Sequence, residues 1–314
     1  MQIKFRSPLP LILALAVVLR LGAALWLGDT LDGPQQARVY DQHSYHALAQ
    51  SLLAGDGYSF DRPWYPLRDP PGTPTAHWSF LYPLFLSGVY AVAGPHPLAA
   101  RLVQALIAGL LTTWLVFILG RRLFDERVGL LAAGLSAVYP YFVFHDAALM
   151  TEPFFIAAVL GSLILSLNLA AGLDLAASPS SPPSQPGAAG RRDLLEWLAL
   201  GAVLGAGALL RQTLLLWAPF LYLYVLTFQR SNVLTSQRSN VLTFKRSNVP
   251  TFQHAFLSLV VIALFILPWT VRNYRLYEAF LPLNSNAGYA LYSANHPDHG
   301  TQFDQDYAAP LPAD

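Results

Sequence analysis

The residues best suited to chemistry begin at Asp41. The stretch YDQHSYHALAQSLLAGDGYS, residues 40–59, sets two aspartates and two histidines beside three tyrosines. A carboxylate within hydrogen-bond reach of a hydroxyl can take its proton. Asp41 also suits the start of a helix, a position Asp favours, and both readings stay open on the residues alone. His43 and His46 stand at i, i+3, a spacing that allows two metal ligands on one helix face, and it equally suits interfacial or solvated histidines. Further along come His77, then the segment FHDAALMTEP with His145, Asp146 and Glu152. Glu152 precedes a proline at the start of an apolar run, where a helix N-terminus favours negative charge. Arg20 lies within an apolar segment and must find a polar partner or snorkel.

The elements that position these groups are membrane helices. Only 12% of the 314 residues are charged and 54% are hydrophobic, against about 25% charged in soluble domains. A span needs about 20 apolar residues. Segments close to that length run over 8–27, 97–119, 128–144, 153–171, 194–210, 213–226 and 255–271, and the pattern predicts an all-α polytopic membrane protein of about seven transmembrane helices. Residues 213–226 are short and should form a tight hairpin with their predecessor around Arg211 and Gln212. Lys4 and Arg6 ahead of an apolar core also fit a signal peptide, but the segment runs on past Arg20 and reads as an uncleaved anchor.

Basic residues set the expected orientation. Lys4 and Arg6, then Arg121, Arg122 and Arg127, then Arg191 and Arg192, then Arg230, Arg238, Lys245 and Arg246 fall in alternate short connections. The positive-inside rule makes those connections and the N-terminus cytoplasmic in an inner, plasma-type membrane. The long loop 28–96 is then extracytoplasmic, as are FHDAALMTEP, Arg211 with Gln212, and the C-terminal segment 272–314. In the long loop Tyr45, Leu48, Ala49, Leu52 and Leu53 recur with helical spacing, which predicts an interfacial helix on the outer leaflet ending at Gly55. Residues 172–192 include a Pro/Ser-rich linker. Residues 225–253 carry an octapeptide repeat, VLTFQRSN and near copies, read as an insertion in a cytoplasmic loop. The net charge of +1 gives no case for a nucleic-acid partner, and the chain has no cysteine to form a disulfide or ligate a metal.

Several short motifs occur in a telling order: the Asp41 helix, then HWSFLYPLFLSGVYAVAG, HPLAARLVQALIAGLL, ALMTEPFF, LLRQTLLLWAPFL and LPWTVRNYRLYEAFLPLNSNAGYALYSANHP. In that order and sidedness the chain resembles the C superfamily of membrane glycosyltransferases. Within it, the chain is similar to family 39-like bacterial enzymes, relatives of protein O-mannosyltransferases and lipid A aminoarabinose transferases. The resemblance implies inverting transfer of a sugar from a polyprenyl-phosphate-linked donor to a lipid, glycan or protein hydroxyl at the outer membrane face. It implies Asp41 as general base and Glu152 as the second acidic position. Arg211 and Arg272 are then candidates for the donor phosphate, and Tyr45, His77, His145 and Asp146 for substrate contacts. No cofactor is certain; a divalent metal stays open. The chain departs from the family where Gln42 follows Asp41 in place of a second acid, and where GTPTAHWSF stands near the usual Lys-Pro-Pro. Family members continue with further spans, so the chain is expected to be truncated.

Two other classes compete. A degenerate fragment or non-catalytic assembly protein would leave the His and Asp content of the long loop unexplained. A transporter should show ionisable groups at mid-bilayer and an internal repeat of spans, and Arg20 alone among the charges sits well inside an expected span.

Overall fold

A computed structural model describes residues 7–32, 41–64, 66–67, 69–177, 188–236 and 249–295. The described residues form helices and connecting loops, with a single isolated bridge between Ser59 and Pro74. The helices are α1 (Leu9–Leu27), α2 (Asp41–Ala54), α3 (Leu81–Ala93), α4 (Pro97–Leu123), α5 (Glu126–Val138), α6 (Pro140–Ala147), α7 (Glu152–Ala177), α8 (Ala188–Leu210), α9 (Leu214–Ser236), α10 (Val249–Tyr277) and α11 (Ala287–Asn295).

The protein is an all-α polytopic membrane protein, as expected. Among the described residues five helices are long and apolar enough to cross a bilayer: Leu9–Leu27, Pro97–Leu123, Glu152–Ala171, Arg191–Leu210 and Thr251–Tyr277. The expected span over 128–144 is broken. α5 and α6 meet at 57° and together make up a sixth span at most. Pro140 causes the break, because a residue before proline is pushed out of the helical region; Tyr139 accordingly has φ −66° and ψ 117°. The expected span over 213–226 lies within α9, whose apolar part is Leu214–Thr227 and which continues as helix to Ser236.

Residues 178–187 of the linker and 237–248 of the repeat lie outside the described residues. α9 runs on through the first repeat copy to Ser236, and α10 begins at Val249.

The chain divides into two compact units. The first comprises Met1–Trp114, Ala133–Pro153 and Thr270–Asp314, the second Leu115–Ala132 and Phe154–Trp269. In the second unit Trp197, Leu200, Leu204, Leu214, Tyr222 and Ile262 form the centre of a buried cluster. Gly201 lets α8 and α10 touch there: a Cβ at that position would lie 2.4 Å from the Ser258 carbonyl oxygen. Such small-residue contacts are how membrane helices pack closely.

The first unit holds every acidic residue singled out in the sequence. α1 buries Ala16, Arg20, Ala24 and Leu27, one stripe along its length, and exposes Leu11, Val18, Leu25 and Trp26. Large apolar groups outside and small or polar groups inside are what a lipid solvent favours. Gly109 of α4 faces α1, where a Cβ would meet Arg20 Cδ at 3.0 Å and Val17 Cα at 3.1 Å.

Candidate functional site

α2 begins at Asp41 itself, and that side chain is exposed. A carboxylate at a helix N-terminus is stabilised by the helix dipole. The buried face of α2 is Gln42, Ser44, Tyr45, Leu48 and Ala49. It packs against α3, with the Tyr45 ring edge-on to Tyr82 at 5.0 Å. Tyr45, a substrate-contact candidate, is therefore buried in a helix contact. Leu53, expected on the same face, is exposed.

Two indoles from the following loop meet the first turn of α2. Trp78 Nε1 donates to Asp41 Oδ1 at 3.4 Å and Trp64 Nε1 donates to Ser44 Oγ at 2.9 Å. Phe60 joins them, stacked on Trp64 at 4.5 Å and edge-on to Trp78 at 5.1 Å. The loop is held shut by Thr75 N donating to Tyr58 O at 2.9 Å and by Gly72 N donating to Phe60 O at 2.7 Å. Gly72 has φ +80°, a left-handed conformation that glycine adopts without a Cβ clash.

The end of α10 clasps this loop. Arg272 Nη1 donates to Thr75 O at 2.8 Å, and its guanidinium sits 5.8 Å from the Tyr58 ring centre. Asn284 Nδ2 donates to Ser79 Oγ at 3.0 Å, and Ser285 N to Ala76 O at 3.0 Å. The structure thus places Arg272, expected beyond a span, within a helix and on loop carbonyls.

His77 lies in the same clasp, buried between Trp78 at 4.5 Å and Tyr289 at 5.8 Å. Burial lowers its pKa to about 4, so the ring is neutral at neutral pH. Between the unfolded value near 6.5 and about 4, the unfolded chain binds a proton that the folded one refuses. Stability therefore rises with pH across that window and falls as acid is added. His77→Gln is expected to flatten that part of the acid limb. Melting temperatures of parent and variant in detergent, at pH 7 and pH 4.5, check it; equal acid losses in both would contradict the assignment.

The second acidic turn joins α6 to α7. Asp146 Oδ2 accepts from Arg20 Nε at 2.5 Å, and both side chains are buried. Arg20 also donates to the carbonyls of Ala16, Ser136 and Ala137 at 3.1–3.2 Å. The Asp146 carboxylate, put forward as a substrate contact, is thus engaged in a buried ion pair. His145 packs on the Tyr141 ring at 4.1 Å. Glu152 is the first residue of α7 and half-buried. Burial raises the Tyr82 phenol well above its ordinary range, and the charge of Glu152 adds the smallest share.

One hydrogen bond brings the two acidic elements together. Gln42 Oε1 accepts from Leu149 N at 3.0 Å. Asp41 is next to Gln42 in sequence, and Glu152 follows Leu149 by one turn of chain. Arg211 belongs to the second unit, just past the end of α8, with its guanidinium 5.8 Å from the Phe155 ring centre.

The histidine pair diverges. His46 Nδ1 lies 2.8 Å from Tyr90 Oη, and His43 Nε2 lies 3.8 Å from Asp32 Oδ1. Among the described residues no three His, Asp or Glu side chains gather as a metal-binding set. They offer no fit for a divalent metal.

Sequence reasoning missed Gln42, Trp78, Arg101 and Gln104. The two on α4 carried a usable signal, since polar side chains within an apolar span are costly and seldom idle.

Residues 77–173 match the family model described as dolichyl-phosphate-mannose-protein mannosyltransferase. That match covers less than half of the chain and is a likeness to this glycosyltransferase family over that segment. The family segment starts at His77 and takes in α3 to α6, the Asp146–Glu152 turn and most of α7; Asp41 and α2 precede it. The match supports membrane glycosyl transfer of mannosyltransferase type in general terms. No curated protein matches the chain.

Proposed function

We propose that the protein transfers a sugar, of mannose type, from a polyprenyl-phosphate carrier to an acceptor hydroxyl, with Asp41 as general base. The acceptor oxygen attacks the anomeric carbon while Asp41 takes its proton. The glycosyl–phosphate bond breaks on the opposite face, inverting the anomeric centre, and the lipid phosphate leaves with the bonding electrons. The observation behind this reading is the exposed Asp41 carboxylate at the head of α2, oriented by the Trp78 N–H and tied through Gln42 to the turn of Glu152. Glu152 serves as the second acidic group, orienting the acceptor or sugar hydroxyls.

Arg272 acts through the loop it clasps, keeping Trp78 against Asp41. His77, neutral and buried, supports the same loop. The decisive experiment follows labelled mannose from polyprenyl phosphate into the lipid and protein fractions of membranes containing the protein. A parent that moves no label overturns the function, and Asp41→Asn tests the base.

This reading also requires the Asp41 face to be extracytoplasmic, where the long loop was expected from the basic residues. A cysteine placed at Asp56 should react with a membrane-impermeant maleimide on intact cells, and one at Arg122 only after permeabilisation. The opposite pattern would remove the outer-face assignment.

A further inference from the structure

We propose that Gln42 and Gln104 are positioning residues that lock the base-bearing end of α2 to the turn leading into Glu152. The proposal rests on the reading of Asp41 as base.

α6 ends at Ala147 and α7 begins at Glu152. A helix end leaves carbonyls without intrahelical partners, and the turn that follows has unpaired backbone groups too. Here Ala147, Ala148 and Leu149 are all fully buried, so water cannot serve them. Side chains from two other helices do so instead. Gln104 Nε2 donates to Ala148 O at 2.6 Å and Asp146 O at 3.1 Å, and Arg101 Nη1 donates to Ala147 O at 3.2 Å. Gln42 Oε1 receives the Leu149 N–H.

Chemistry fixes which way each amide points. The Leu149 N–H can only donate, so Gln42 must present its oxygen. The two carbonyls can only accept, so Gln104 must present its nitrogen. The Gln104 oxygen then accepts from Tyr82 Oη at 2.6 Å, which fills both ends of that amide and ties in α3.

Gln42 is different at its far end. Its Nε2 is buried and, among the described residues, has no hydrogen-bond partner. A side chain whose one task was to fill this space would carry no such group, because an unmet buried donor is a cost. The working end is the oxygen. Through it α2 is pinned to the turn one residue from Asp41. Misplacing a catalytic group by about 1 Å can cost roughly 10²-fold in rate, so such a pin bears directly on turnover.

The two glutamines therefore respond unequally to the same substitution. Gln42→Glu keeps the accepting oxygen, and burial holds the new carboxyl protonated at neutral pH. Gln104→Glu, protonated by the same burial, has one O–H in place of two N–H groups and can serve only one of the two carbonyls. Methionine removes the polar end at either position with little change of length. In the membrane transfer assay, Gln42→Met and Gln104→Met are expected to lower kcat about 10- to 100-fold with the donor KM within about twofold, and Gln104→Glu to fall between Gln104→Met and the parent. Gln42→Glu is expected within about threefold of the parent. The Gln42→Met/Gln104→Met double variant should lose far less than the product of the single losses, since both act on one turn. Equal losses in Gln42→Glu and Gln42→Met would overturn the proposal, as would a loss carried by KM. Should the Gln104 variants fail to fold, as seen by size-exclusion elution, the Gln42 pair decides alone. Full activity in Asp41→Asn would sink the base assignment instead, whatever the glutamines do.

Discussion

Asp41→Asn is expected to lower the rate of sugar transfer by about 10²- to 10⁴-fold, the usual contribution of a positioned base. The substitution is close to isosteric and leaves the structural duties of the residue in place. Asn is as good as Asp at a helix start, and its carbonyl oxygen can still accept from Trp78 Nε1, which lies 3.4 Å from Asp41 Oδ1. The variant should therefore elute and melt like the parent while failing to take the acceptor proton. Asp41→Glu restores the base but moves it by one methylene, so it should recover part of the lost rate. The assay is label transfer from polyprenyl-phosphate mannose in membranes, with protein amount fixed by immunoblot. Parent-like transfer by Asp41→Asn would rule the base out. A variant that has lost both its rate and its fold would mean the carboxylate is chiefly structural.

The sequence made the helices around this site legible because apolar runs and a 3.6-residue period are local properties. α2 begins at Asp41, whose type suited a helix start, and ends one residue before Gly55. What the sequence pattern missed was local geometry at proline: Pro140 splits one apolar run at a 57° bend. The polar partners were not legible at all. Asp146 reads alike whether it faces a substrate or Arg20, 126 residues away in the chain. Gln42 read only as a departure from an acidic pair. Its hydrogen bond to Leu149, 107 residues on, is set by how α2 meets the α6–α7 turn, which no sequence period records.

The largest expected effect on stability lies in the buried pair of α1 and α6. Arg20 and Asp146 are both fully buried and bonded at 2.5 Å. Deleting one member of such a pair leaves an uncompensated charge and costs about 3–5 kcal/mol. The two deletions should not be equal. Without Arg20, Asp146 can escape its burial by taking up a proton, so Arg20→Met falls toward the lower end of that range. Without Asp146, the guanidinium cannot lose its charge and is left with the carbonyls of Ala16, Ser136 and Ala137. Asp146→Leu is therefore expected to be the worse of the two. Arg20→Lys should also fail to restore the parent, because an ammonium cannot reproduce the fork that reaches four acceptors at once. The double variant Arg20→Met/Asp146→Leu removes both charges and should be less destabilised than Asp146→Leu alone, giving a positive coupling in a double-mutant cycle. Thermal midpoints in one detergent, read by tryptophan fluorescence, measure all four. The pair matters beyond stability because Asp146 sits in the same turn whose carbonyls Gln104 holds. Losing the pair should also lower transfer, through Glu152, in whatever fraction stays folded. If the double variant melted no higher than Asp146→Leu, the ion pair would not be what fastens α1 to this turn.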